Sequence, residues 1–149
     1  MRSLACAGAG FLLCVLWFDL MFDVQARRHP DDDVPANARA SIAAYYARVT
    51  TAARPMNRLV AAAMVLTIGA IGAELVRDDL PAWRAWPALV LTLGAVGLAA
   101  GRTVANAQRL GRQTDDAAQQ SKLARLILRD HVMCIAAIAT VLLLQLAPV

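Results

Sequence analysis

Four long apolar runs, about residues 4–24, 57–76, 86–106 and 131–147, constrain this 149-residue chain more than any other feature. A helix needs about 20 residues to cross the hydrocarbon core, and in lipid each backbone donor and acceptor must be paired internally. The runs therefore predict four spanning helices. The expected fold is all-α: an integral membrane four-helix bundle, up-down-up-down, forming one domain over residues 1–149. Composition agrees, since 59% of the residues are hydrophobic, against roughly 45–50% in soluble domains.

Charge then orients the bundle. Twelve of the 15 basic residues lie in two regions: Arg27, Arg28, Arg39, Arg48, Arg54 and Arg58, and Arg102, Arg109, Arg112, Lys122, Arg125 and Arg129. Short loops carrying such an excess face the cytoplasm. The basic loops are therefore expected inside and both termini outside, with the chain multi-pass in the inner cell membrane. No basic face interleaved with aromatics accompanies the net charge of +4, so nucleic acid is excluded as a partner. Met1-Arg2 precedes an apolar run with no small-x-small motif after it, which predicts a retained span and not a cleaved signal. Cys6, Cys14 and Cys134 show no metal or redox spacing and read as small buried hydrophobes.

Between the first two spans, His29-Pro30-Asp31-Asp32-Asp33 predicts an acidic turn. Pro35 then suits the start of an amphipathic helix over about 36–53, with Ile42, Tyr45, Tyr46 and Val49 on one face. That face rests either on the inner leaflet, with Arg39, Arg48 and Arg54 near lipid phosphates, or on the ends of the spans. Gly69, Gly72 and Ala73 in the second span and Gly94, Gly97 and Gly101 in the third predict close helix packing. Trp83 and Trp86 suit the aromatic belt of the outer connection. The third span is expected to run past the membrane to a cap at Gly111. A fresh helix over about 115–130, starting near Thr114 with Asp115 and Asp116 in its first turn, leads unbroken into the fourth span.

Polar residues converge on the loop end of this bundle. Asp19 falls within the first span, where a charge costs about 2.5–3.5 kcal/mol and demands a partner. Asp23 has Arg27 four residues on. Asp19 has no such neighbour, and Arg102 lies at the same depth by residue count, about 24 Å from the outer end. A diagonal pair between the first and third spans is therefore expected. Around it fall Asp23, Asn57, Arg58, Asn106, Arg109, Arg129 and His131, with Tyr45 and Tyr46 placed to cover the opening. As a site, the cluster assigns acid–base chemistry to His131 and Asp19, and gives Arg102 or Arg109 an enolate or carboxylate to hold. As structure, the same residues form an ion-pair and amide network that fixes register.

No metal or cofactor is called for. A di-iron bundle needs several Glu and paired Glu-x-x-His motifs, whereas the one Glu, Glu74, is placed toward the opposite end. Asp19, Asp23 and His131 imitate a carboxylate–imidazole site, but arginines surround them. A bis-histidine haem would need His29, which lies in a loop.

Asn57 opening the second span, Asn106 at the inner end of the third and His131 at the start of the fourth, with an amphipathic loop after the first, resemble the anthrone oxygenase-like family of small four-span membrane proteins. Arg129-Asp130 stands where that family has Trp-Asn. The resemblance implies oxidation of polycyclic phenolic substrates without a conventional bound cofactor. The residues themselves predict a polar pocket at the cytoplasmic leaflet that binds, and in the stronger form transforms, a small lipophilic anion or phenol. The alternatives are a non-catalytic subunit or assembly factor packed through its glycine faces, and a proton-coupled transporter using Asp19, which would need a dimer. The expected partners are accordingly the lipid bilayer, a small lipophilic ligand, and a second copy or another membrane protein.

Overall fold

A computed structural model describes residues 1–27, 33–52 and 54–147, the side chain of Arg54 excepted. His29 and the turn at 28–32 lie outside the described residues. The chain is all-α, in the order α1 (Arg2–Arg27), α2 (Ala36–Ala47), α3 (Arg54–Val76), α4 (Ala82–Leu98), α5 (Val104–Arg112) and α6 (Ala117–Leu146). A π-helical turn, Arg48–Ala52, follows α2, and another, Ala99–Thr103, joins α4 to α5 as one continuous rod. Four helices are long and apolar enough to cross a membrane: α1, α3, the α4–α5 rod and α6.

These spans close into a ring. α1 packs on α3 and α6, and α4 packs on the same two, while α1 and α4 face each other with no close backbone approach. Directions follow from the pairs that meet: Gly8 with Thr67, Arg2 with Gln145, Asp23 with His131, and Arg84 with Leu144. Each span therefore runs antiparallel to both neighbours, the up-down-up-down order. Between the spans lies an apolar core that includes Leu12, Ile71, Ala88, Ile138 and Val141.

A second core sits at the loop end, where Ile42, Ala43 and Tyr46 of α2 pack with Ala107, Leu110, Leu123 and Ile127. The apolar face of α2 is thus spent on α5 and α6, which decides between the two placements expected for it. The helix over 36–53 is α2 plus the first π turn. Gly111 does not cap α5. A Cβ there would lie 2.7 Å from the Ala47 backbone nitrogen, so the glycine permits α2 to cross close by. The cap is Gln113, at φ 55°. α6 begins at Ala117 and not near Thr114: Asp116 is its N-cap, accepting the Gln119 backbone N–H at 2.8 Å.

The glycine expectation also changes. A Cβ at Gly69, Gly72, Gly94, Gly97 or Gly101 would meet nothing within 4 Å, so these faces are unused inside the chain. The close α1–α3 crossing is made at Gly8 against Thr67. Cys134 is buried as expected, whereas Cys14 is exposed on the outside of the ring.

The end opposite the loops carries its own polar set. Glu74 and Gln145 are fully buried, and the Gln145 amide donates to Glu74 Oε2 at 2.8 Å. Arg2 donates to the Gln145 and Ala147 carbonyls, and Arg84 to those of Leu144 and Ala147, which satisfies acceptors at the end of α6.

Candidate functional site

The loop half of the ring is hollow. A cavity of about 520 Å³ lies between α1 and the α4–α5 rod, within the usual size range for small-molecule pockets. Its α1 wall is Leu12, Val15, Leu16 and Asp19, at spacings of three and four that define one helix face. α6 supplies His131, Cys134 and Ile138 in the same way, and Val60 and Met64 come from α3. Small residues of the rod, Ala95, Ala99, Ala100 and Ala107, leave the room. Tyr45, Tyr46, Val49 and Thr50 close the loop end. Both π turns of the chain therefore reach this cavity, a position where such irregular helix commonly marks function.

One polar constellation faces the apolar wall. Asp23, fully buried, accepts the Tyr46 hydroxyl at 2.6 Å on Oδ1, and His131 Nδ1 lies 2.6 Å from Oδ2. A carboxylate offers only acceptors, so the Nδ1 proton is donated to Asp23. The other ring nitrogen, Nε2, is left for the cavity. It stands 3.9 Å from Asp19 Oδ2, beyond hydrogen-bond range. Asp19 Oδ1 accepts the Tyr45 hydroxyl at 2.6 Å. Tyr45 is itself clamped, stacked on Phe22 at 4.0 Å between ring centres and edge-on to Tyr46. Burial first, then the hydrogen bond to Asp19, raises the Tyr45 phenol above its ordinary value; burial and the Asp23 charge do the same for Tyr46. Both hydroxyls are fixed as donors to the two acids.

The other expected members go elsewhere. Arg102 does not meet Asp19. It forms a two-pronged pair with Asp130, through Nε at 2.9 Å and through Nη2, and Thr103 donates to the same carboxylate at 3.2 Å. Asp130 is buried, so this pair ties the second π turn to α6. The diagonal pair fails because the cavity itself separates α1 from the rod; the adjacent helix supplies the nearer acid. Arg109 holds Asp115 through two contacts of 2.8 Å, which lowers the Asp115 carboxyl below its usual range. Arg129 reaches Asp130 at 3.9 Å on the exterior. Arg58 is exposed at the start of α3, and Asn106 does not line the cavity, whereas Asn57 does. Asp23 takes Tyr46 and His131 as its partners in place of the expected Arg27.

Thus Asp19, Asp23, Tyr45, Tyr46, Asn57 and His131 come together, and the arginines do not. Residue counting missed Asp130, whose signal was its place beside His131 where the fourth apolar run begins. No family model, curated protein or solved structure matches this chain.

Proposed function

We propose that this is a multi-pass membrane protein whose cavity binds a small, neutral, lipophilic hydroxy-aromatic molecule and offers His131 as the acceptor of its hydroxyl proton. The observation that carries this reading is the orientation of His131: Nδ1 is anchored on buried Asp23, and Nε2 faces an apolar chamber beside Asp19. A carboxylate behind an imidazole holds the tautomer and stabilises the imidazolium formed when Nε2 takes a proton, which is the arrangement general-base catalysis requires.

The same geometry selects against an anion. Nε2 and Asp19 are both acceptors, the tyrosine hydroxyls already donate to carboxylates, and Arg102 and Arg109 are paired outside the cavity. A ligand that reaches His131 Nε2 and Asp19 must therefore bring the donor. This favours the phenolic half of the expectation over the anionic half and accords with the resemblance to the anthrone oxygenase-like family. The excess of Lys and Arg in the loops supports a cytoplasmic position for the chamber.

Binding of 1-naphthol and of its methyl ether to protein in lipid nanodiscs tests the reading. The wild type should prefer the naphthol by about tenfold, the worth of one net hydrogen bond. His131→Phe should reduce that preference while still binding the ether. Equal affinities in the wild type would overturn the proposal.

The open faces at Gly69, Gly72, Gly94, Gly97 and Gly101 favour a second reading, a subunit packed against another copy or another membrane protein. Native mass spectrometry from mild detergent should then show a complex; a lone chain would contradict it.

A further inference from the structure

The cavity has a mouth, and its position says where a ligand comes from. On α3 the lining residues Met56, Asn57 and Ala61 are exposed; on the rod, so are Ala100, Val104 and Gln108. These two rims belong to neighbouring spans that pack through α3 and α4, yet among the described residues the α3 backbone makes no close approach to α5. The spans part at the level of the second π turn. Above the gap, the first π turn, Arg48–Ala52, touches both α3 and α5 and roofs it. The loop side is further sealed by Tyr45, which is clamped by Phe22 and Asp19. Among the described residues, the opening that remains is sideways, between two membrane-crossing helices.

We infer that the cleft between α3 and the α4–α5 rod is a lateral portal through which a neutral lipophile dissolved in the bilayer passes directly into the cavity. The inference rests on the proposed binding role and adds the route and the phase of the ligand. Four of the six rim side chains are apolar, which suits passage from acyl chains, and the amides of Asn57 and Gln108 sit at the edge nearest the loops. A neutral lipophile crosses such a rim without shedding a hydration shell, whereas a charged one would first have to be desolvated. The second π turn supplies Ala99, Ala100 and Thr103 to this wall, and the Arg102–Asp130 pair holds that turn against α6, away from α3. The portal is thus kept open by a contact that faces away from it.

Cys134 lines the cavity and is buried, so it reports on access without reference to any ligand chemistry. The experiment uses the Cys6→Ser, Cys14→Ser chain in liposomes, with a neutral phenylmercury reagent and its membrane-impermeant sulfonate analogue. The neutral reagent should modify Cys134 at least about tenfold faster than the sulfonate, and Ala61→Trp or Ala100→Trp should each slow it by about tenfold, as closing a gate does. Ala62→Trp, exposed on the same helix but off the lining, should leave the rate unchanged. Equal rates for the two reagents, or unaltered labelling in both mouth variants, would overturn the portal. Neither result depends on His131 or on naphthol, so the route and the binding role fail separately.

Discussion

His131 does its work through two atoms with different surroundings. Nδ1 belongs to the buried network with Asp23 and Tyr46, and Nε2 belongs to the cavity. Removing Asp23 leaves two buried donors without an acceptor, so Asp23→Ala should lose about 3–5 kcal/mol of stability, whereas Tyr46→Phe should lose only about 1–3 kcal/mol. Thermal unfolding in one detergent ranks them. Alkaline pH reaches the same residues by another path. Tyr45 and Tyr46 are raised in the folded chain, so the unfolded chain releases these protons first. Their contribution is complete below the unfolded value of about 10 and is lost as pH rises above it. The wild type should therefore destabilise above about pH 10 more steeply than the Tyr45→Phe, Tyr46→Phe chain. At the opposite end, Glu74 Oε1 and Gln145 Oε1 are buried without a hydrogen-bond partner among the described residues. Glu74→Gln supplies an amide donor beside them and should hold or raise the unfolding temperature; a drop of several degrees would show that the carboxylate itself is required.

Among the elements, α2 and the second π turn decide the site. α2 is held by Ile42 and Ala43 on α5 and α6, with Gly111 letting it approach. Gly111→Ala should cost about 1–3 kcal/mol, because the added methyl meets backbone that has nowhere to yield. Gly97→Ala, into open space, should cost nothing, and comparison of the two by unfolding separates crossing from helix propensity. The spans and the helix after Pro35 were legible in the sequence because each is a long apolar run or a clear one-face repeat. The π turn over Ala99–Thr103 was not. Nothing in Ala-Ala-Gly-Arg-Thr distinguishes it from ordinary helix, yet it is where Arg102 turns to Asp130. Asp19 was readable as a residue needing a partner, but the partner came from Tyr45 on a loop helix, which counting along the spans does not reach.

At the scale of the whole molecule, the ring of four spans encloses space where the sequence predicted contact. An ion pair across the diagonal would have closed the bundle; the neighbouring pair between Arg102 and Asp130 leaves it hollow, with one acid, Asp19, and one imidazole on the chamber wall. That the cluster would gather at one end could be read from the positions of Asp19, Asp23, Asn57 and His131. That it would exclude the arginines could not, since helices packed in a ring pair first with their neighbours and this order appears only in three dimensions. The most direct test of the account is nitrogen NMR of histidine-labelled protein in nanodiscs, with and without 1-naphthol. The expected result is a His131 whose Nδ1 carries the proton and whose Nε2 is bare without ligand, and whose Nε2 resonance moves when naphthol binds. A proton resident on Nε2 with Nδ1 bare, or an Nε2 resonance indifferent to saturating naphthol, would contradict it.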